Sequence, residues 1–93
     1  METRILTLHP NGKQGVNILK HRYDTVRQAI VSELSGTKES TFTDLTRRVN
    51  QRLRSQKFDG RPSWYVITVK LDLEARGVIE RIPGARPQRL RMR

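Results

Sequence analysis

WYVITVKLDLEARGVIERIPGARPQRLRMR, residues 64–93, decides how this chain reads. Val66, Val69 and Leu73 fall at helical spacing, and Gly77 supplies a residue at ease with positive φ where the helix stops. Val78-Ile79-Glu80-Arg81-Ile82 then switches to strand-like composition. Pro83-Gly84-Ala85-Arg86-Pro87 breaks that strand and predicts a turn, and residues 88–93 return as a second strand. The segment predicts a helix, a glycine stop and an arginine-rich hairpin.

Upstream, two more helices are expected. Residues 20–34 place Tyr23, Val26, Ala29, Ile30 and Leu34 on one stripe, and Ser35-Gly36 ends it. Thr43-Asp44 predicts the start of the second helix, with Thr43 accepting from free amides and Asp44 favoured at the positive terminus. Leu45, Val49 and Leu53 face the core at four-residue spacing, leaving Arg47, Arg48, Arg52 and Arg54 to solvent or a partner. Phe58-Asp59-Gly60 predicts the next turn, and Pro62 or Ser63 opens the third helix. At the start, residues 4–8 and 16–19 read as strands around His9-Pro10-Asn11-Gly12, a strong turn signal.

Ninety-three residues suffice for one domain with a small core. The expected divisions are an N-terminal hairpin over 1–19, three helices over 20–77 and a terminal ribbon over 78–93. With no cysteine there is neither a disulfide nor a thiolate metal site. Met1-Glu2-Thr3-Arg4 lacks the flank of a secretory signal, and no apolar run reaches the roughly 18 residues of a membrane span. A soluble, cytoplasmic protein without membrane contact is expected.

The net charge is +10, unevenly placed along the chain. Residues 1–46 hold six Lys/Arg against five Asp/Glu, while residues 47–93 hold thirteen against four. Most of these cations are arginines, whose planar fork suits phosphate. Such a balance points to a polyanion, most often nucleic acid.

The order helix, helix, WYVITVKLDLEARGVIER and ribbon resembles the winged helix-turn-helix superfamily across residues 20–93. HPNGKQG near the start, with VKLDLEARG and PQRLR, also resembles a small uncharacterised bacterial family of that fold. The resemblance implies an α+β fold of three helices and a C-terminal wing, to which the N-terminal hairpin is an addition. It implies binding of double-stranded DNA, as in a small transcriptional regulator, with the third helix in the major groove and the wing on the backbone. The residues it nominates are Arg61, Ser63, Thr68 and Lys70 around the third helix, and Arg86, Arg89 and Arg91 on the wing.

The third helix complicates that reading. Beside its core stripe it carries a second apolar stripe, Trp64, Ile67 and Leu71, where a DNA-reading helix would present polar side chains. Two explanations stand open: cover by the N-terminal hairpin, or an interface for a partner protein or a second copy in a homodimer. On the wing, strand alternation turns Leu90 and Met92 inward and aims Arg89, Arg91 and Arg93 outward at about 6.6 Å spacing. That row suits phosphates; a charged edge strand that discourages aggregation is the alternative.

No enzyme is expected. His9 and His21 stand at no metal-ligand spacing, and Asp72 and Glu74 are two residues apart, off a shared helical face. Gly12-Lys13-Gln14-Gly15 lacks the spacing and hydroxyl of a phosphate loop. Neither a metal nor a cofactor is expected.

Overall fold

The fold is known from a computed structural model that describes residues 2–93. Strands β1 (Arg4–Leu6) and β2 (Asn17–Leu19) pair antiparallel, with Ile5 opposite Ile18. Three helices follow: α1 (Lys20–Ser35), α2 (Phe42–Ser55) and α3 (Pro62–Ala75). Between α1 and α2 lies a two-residue strand, β3 (Ser40–Thr41). The chain closes with β4 (Ile79–Arg81) and β5 (Arg89–Met92), and the three strands form an antiparallel sheet ordered β3-β5-β4. This is an α+β fold of three helices and two small antiparallel sheets.

The apolar stripes meet as their spacing requires. Tyr23, Val26, Ala29, Ile30 and Leu34 of α1 pack with Leu45, Val49 and Leu53 of α2 and with Val66, Val69 and Leu73 of α3. Ile79 and Leu90 close the same cluster from the sheet, and Ile18 reaches it from β2. Leu90 is buried and Met92 half-buried, so the alternation read for the last strand holds.

The helix ends show local sequence at work. The α2 cap is Thr41, not Thr43: its hydroxyl accepts from the Asp44 amide at 3.1 Å. The reason lies in the sheet, because pairing of Thr41 with Arg89 holds its backbone extended and starts the helix one residue later. Pro62 opens α3 as expected, while Ser63 caps nothing; its hydroxyl instead accepts from Asn50 Nδ2 at 3.3 Å. At the far end Gly77 adopts φ 74°, and the Val78 amide reaches back to the Leu73 carbonyl at 2.9 Å. That is a Schellman ending, for which glycine is the natural residue. α2 ends the same way with Lys57 at φ 55° and the Phe58 amide on the Leu53 carbonyl at 3.0 Å.

Candidate nucleic-acid and protein interface

Both candidate surfaces centre on α3, and its neighbours fix how it is presented. Asp72, fully buried, ties three segments together. It accepts from the Leu8 amide at 2.8 Å, from the Tyr23 hydroxyl and from Arg76 Nε at 2.9–3.0 Å. Burial, with the Asp72 carboxylate as acceptor for its proton, pushes the Tyr23 hydroxyl up to about 12. The segment after β1 is held again at Thr7, whose amide donates to the Val16 carbonyl at 2.9 Å while its hydroxyl accepts from the Val16 amide at 2.9 Å. A Cβ on Gly15 would lie 1.6 Å from the Thr7 carbonyl oxygen, so only glycine fits there. The hairpin loop is therefore clamped alongside α3.

It does not cover the second apolar stripe. Leu71 is half-buried, but Trp64 and Ile67 remain 45% and 48% exposed. Leu8 and Val16 of the hairpin are exposed as well. Hairpin and helix form the two walls of a cleft of about 140 Å³ lined by Leu8, Val16, Trp64, Thr68 and Leu71. Of the two explanations left open for this stripe, intramolecular cover fails for two of its three residues, because the loop is anchored level with Asp72, one to two turns beyond Trp64 and Ile67.

Trp64 stands edge-on to Tyr65 with ring centroids 4.9 Å apart, and Phe58 meets Tyr65 from elsewhere at 5.2 Å. Arg22 donates to the Tyr65 hydroxyl at 3.0 Å and to both Asp59 oxygens at 3.1–3.2 Å. That fork holds the Asp59 carboxyl below the usual carboxylate range. Gly60 passes beneath these rings, where a Cβ would sit 2.6 Å from Tyr65. The turn before α3 is thus a built corner, with Arg61 exposed at its end.

The candidate cations divide sharply. Lys70 is only 4% exposed; its Nζ lies 3.2 Å from Glu74 and 5.0 Å from the Phe42 ring centroid. Desolvation lowers its pKa, with Glu74 opposing. It is an internal ion-pair member and no phosphate contact, a correction that the Lys70/Glu74 helical spacing already hinted at. Arg89 and Arg91 do not stand free either: they pair with Glu39 at 2.5 Å and Glu80 at 2.7 Å. Arg48 and Arg52 turn back onto Glu33 of α1 instead of facing solvent alone.

Among the described residues every side-chain carboxylate except Glu2 lies within 4 Å of a lysine or arginine. Among the described residues, the cations without such a partner are Arg54, Lys57 and Arg61 ahead of α3, Arg86 and Arg93 on the ribbon, Lys13 in the hairpin loop, and Arg4, Arg27 and Lys38 elsewhere. Thr68 is half-buried against the hairpin and Ser63 is exposed beside Asn50. Sequence reasoning missed Asp72 as the tie to the hairpin and Arg22 as the clamp of the turn. Neither leaves a local signal, since their partners lie 64 and 37 residues away.

No group of three or more His, Cys, Asp or Glu among the described residues is placed to hold a metal, and none of the described helices is long and apolar enough to cross a membrane. The arrangement offers charge and an apolar helix face, the means of binding a macromolecule. The chain belongs to DUF6958, a family of unknown function, whose model matches residues 4–90. No curated protein and no solved structure gives a match.

Proposed function

We propose that this chain is a cytoplasmic winged helix-turn-helix protein that binds double-stranded DNA, mainly through the phosphate backbone, and is not an enzyme. The order α1-β3-α2-α3-β4-β5, with β3 added to the terminal ribbon, supports the fold reading. The observation that carries the binding reading is the set of exposed cations left without acids: Arg54, Lys57 and Arg61 ahead of α3, and Arg86 and Arg93 on the wing. Exposed surface cations of this kind release counterions on contact with phosphate. Arg89 and Arg91 add to them by exchanging exposed carboxylate partners for phosphate, since such surface pairs are weak.

Anisotropy of a labelled mixed-sequence duplex tests this. Affinity should fall steeply with salt, and an Arg61, Arg86 and Arg93 triple alanine variant should flatten the slope by about two to three units whatever the sequence. Absence of binding at ~50 mM salt would overturn the reading.

The open stripe favours a second reading, a protein-interaction module or homodimer using Trp64, Ile67 and Leu71. Trp64 and Ile67 are large, apolar and half exposed on one helix face, where base edges would demand polar groups. Light scattering with and without DNA separates monomer, dimer and complex.

A further inference from the structure

We propose that the groove along α3 receives an acidic amphipathic helix of a partner protein, not a second copy of this chain. The inference rests on the interaction-module reading and names the partner. Trp64, Ile67 and Leu71 follow one another at i, i+3 and i+7, the spacing at which two helices interdigitate along a shared face. Leu8 and Val16 raise an apolar wall beside them, so the site is a groove with a floor and one side. α3 is about 21 Å long, room for a partner helix of three to four turns.

Charge identifies the occupant. Arg61 lines a neighbouring pocket that shares Trp64 with the cleft, Arg93 lines another that shares Leu71, and Lys13 lines a third that shares Leu8. None of the three has a carboxylate partner among the described residues, whereas the acids nearest the groove, Asp59, Glu74 and Glu80, are each paired internally. A cationic rim around an apolar floor selects Leu-rich, Glu/Asp-flanked helices. A second copy would bring the same rim and a further +10, with Glu2 as the one described carboxylate not already engaged. Five side chains also offer too little apolar area for a stable dimer, which needs on the order of 1,200 Å² in total.

The test is a displayed library of random peptides of about 15 residues, matched to the length of α3. It is selected in parallel on the full-length protein and on Trp64→Ser and Ile67→Ser, each checked for native circular dichroism. Expected winners carry net negative charge with apolar residues at i, i+3 or i+4, and i+7, and bind each variant roughly tenfold more weakly or worse. A synthetic winner should shift Trp64 emission to the blue, and its affinity should fall with added salt and in Arg61→Glu. Neutral or basic winners that still depend on Trp64 would overturn the acidic partner and leave the interface reading standing. No Trp64-dependent winner would overturn both. A blue shift produced by oligo-dT but by no peptide would place nucleic acid in the groove, and a dimer dissociated by Ile67→Ser would place a second copy there; either overturns the proposal.

Discussion

The two faces of α3 are both apolar, yet the protein treats them in opposite ways. Val66, Val69 and Leu73 are sealed against α1 and α2, and on the flank between the two faces Asp72 gathers the Leu8 amide, the Tyr23 hydroxyl and Arg76. Trp64 and Ile67, on the other face, stay about half exposed. Hydrophobicity alone therefore does not decide burial; the position of a neighbouring element does. The hairpin reaches the edge of the open face, but its loop is tied down at Asp72 and Thr7, so it makes a wall and no lid.

The sharpest way to break this comparison is to shorten one residue on each face. Leu73→Ala should lose about 2–5 kcal/mol of stability, since it leaves a cavity in a closed core. Ile67→Ala should stay within about 0.5 kcal/mol, as an exposed site does. Urea unfolding of the two variants reads the difference directly, and equal losses would mean that the outer face is covered after all.

Asp72→Ala should destabilise by roughly 2–3 kcal/mol, because buried donors on Leu8 and Tyr23 lose their acceptor. Arg76, partly exposed, recovers water and softens the loss. The Leu8 amide should exchange with solvent much faster in this variant, while amides in α2 keep their rank. An unchanged Leu8 amide would show that Thr7 and Gly15 hold the loop without help.

Tyr23→Phe should cost about 1–2 kcal/mol near neutral pH through the lost donor. Its pH behaviour is more telling. The folded protein holds the Tyr23 proton up to about 12, above the ordinary tyrosine value of roughly 10. The folded state thus keeps a proton that the unfolded chain releases. This contribution is intact below about pH 10 and declines as pH rises through the folded value. Between roughly pH 10 and 12 the wild type should lose stability more steeply than Tyr23→Phe. Parallel curves would detach the Tyr23 proton from folding.

The smallest effect lies at the helix ends. Lys57 and Gly77 occupy the same left-handed position after α2 and α3. A side chain there costs on the order of 1 kcal/mol, so Lys57→Gly should raise the melting temperature while removing one cation from the turn. A lower melting temperature would show that the Lys57 side chain contributes packing that outweighs its strained backbone.

Much of the frame was legible in local order. The stripes of α1 and α2, the inner stripe of α3, Pro62 at a helix start, Gly77 at a helix end and the in-out alternation of Leu90 and Met92 all follow from periodicity and backbone preference. β3 was not legible, because two polar residues carry no pattern; they become a strand only when Leu90 and Arg89 lie opposite. For the same reason the α2 cap moved from Thr43 to Thr41. Of the candidate contacts, Arg61, Arg86, Trp64 and Ile67 emerge exposed, whereas Lys70 is enclosed with Glu74 and Phe42.

What the sequence determined by itself is what depends on neighbours within a turn or two: where helices run, which stripe is apolar, where glycine or proline ends an element. It also determined the total charge. Tertiary structure decided where that charge is available. The basic second half is partly neutralised by acids of the first, Glu33 on Arg48 and Arg52, Glu39 on Arg89 and Asp44 on Arg47. It also decided which of two equally apolar stripes on α3 stays open, since a carboxylate at position 72 captures a backbone amide 64 residues away. Periodicity reports a side chain's direction on its own helix; only the packed chain determines what stands in front of it.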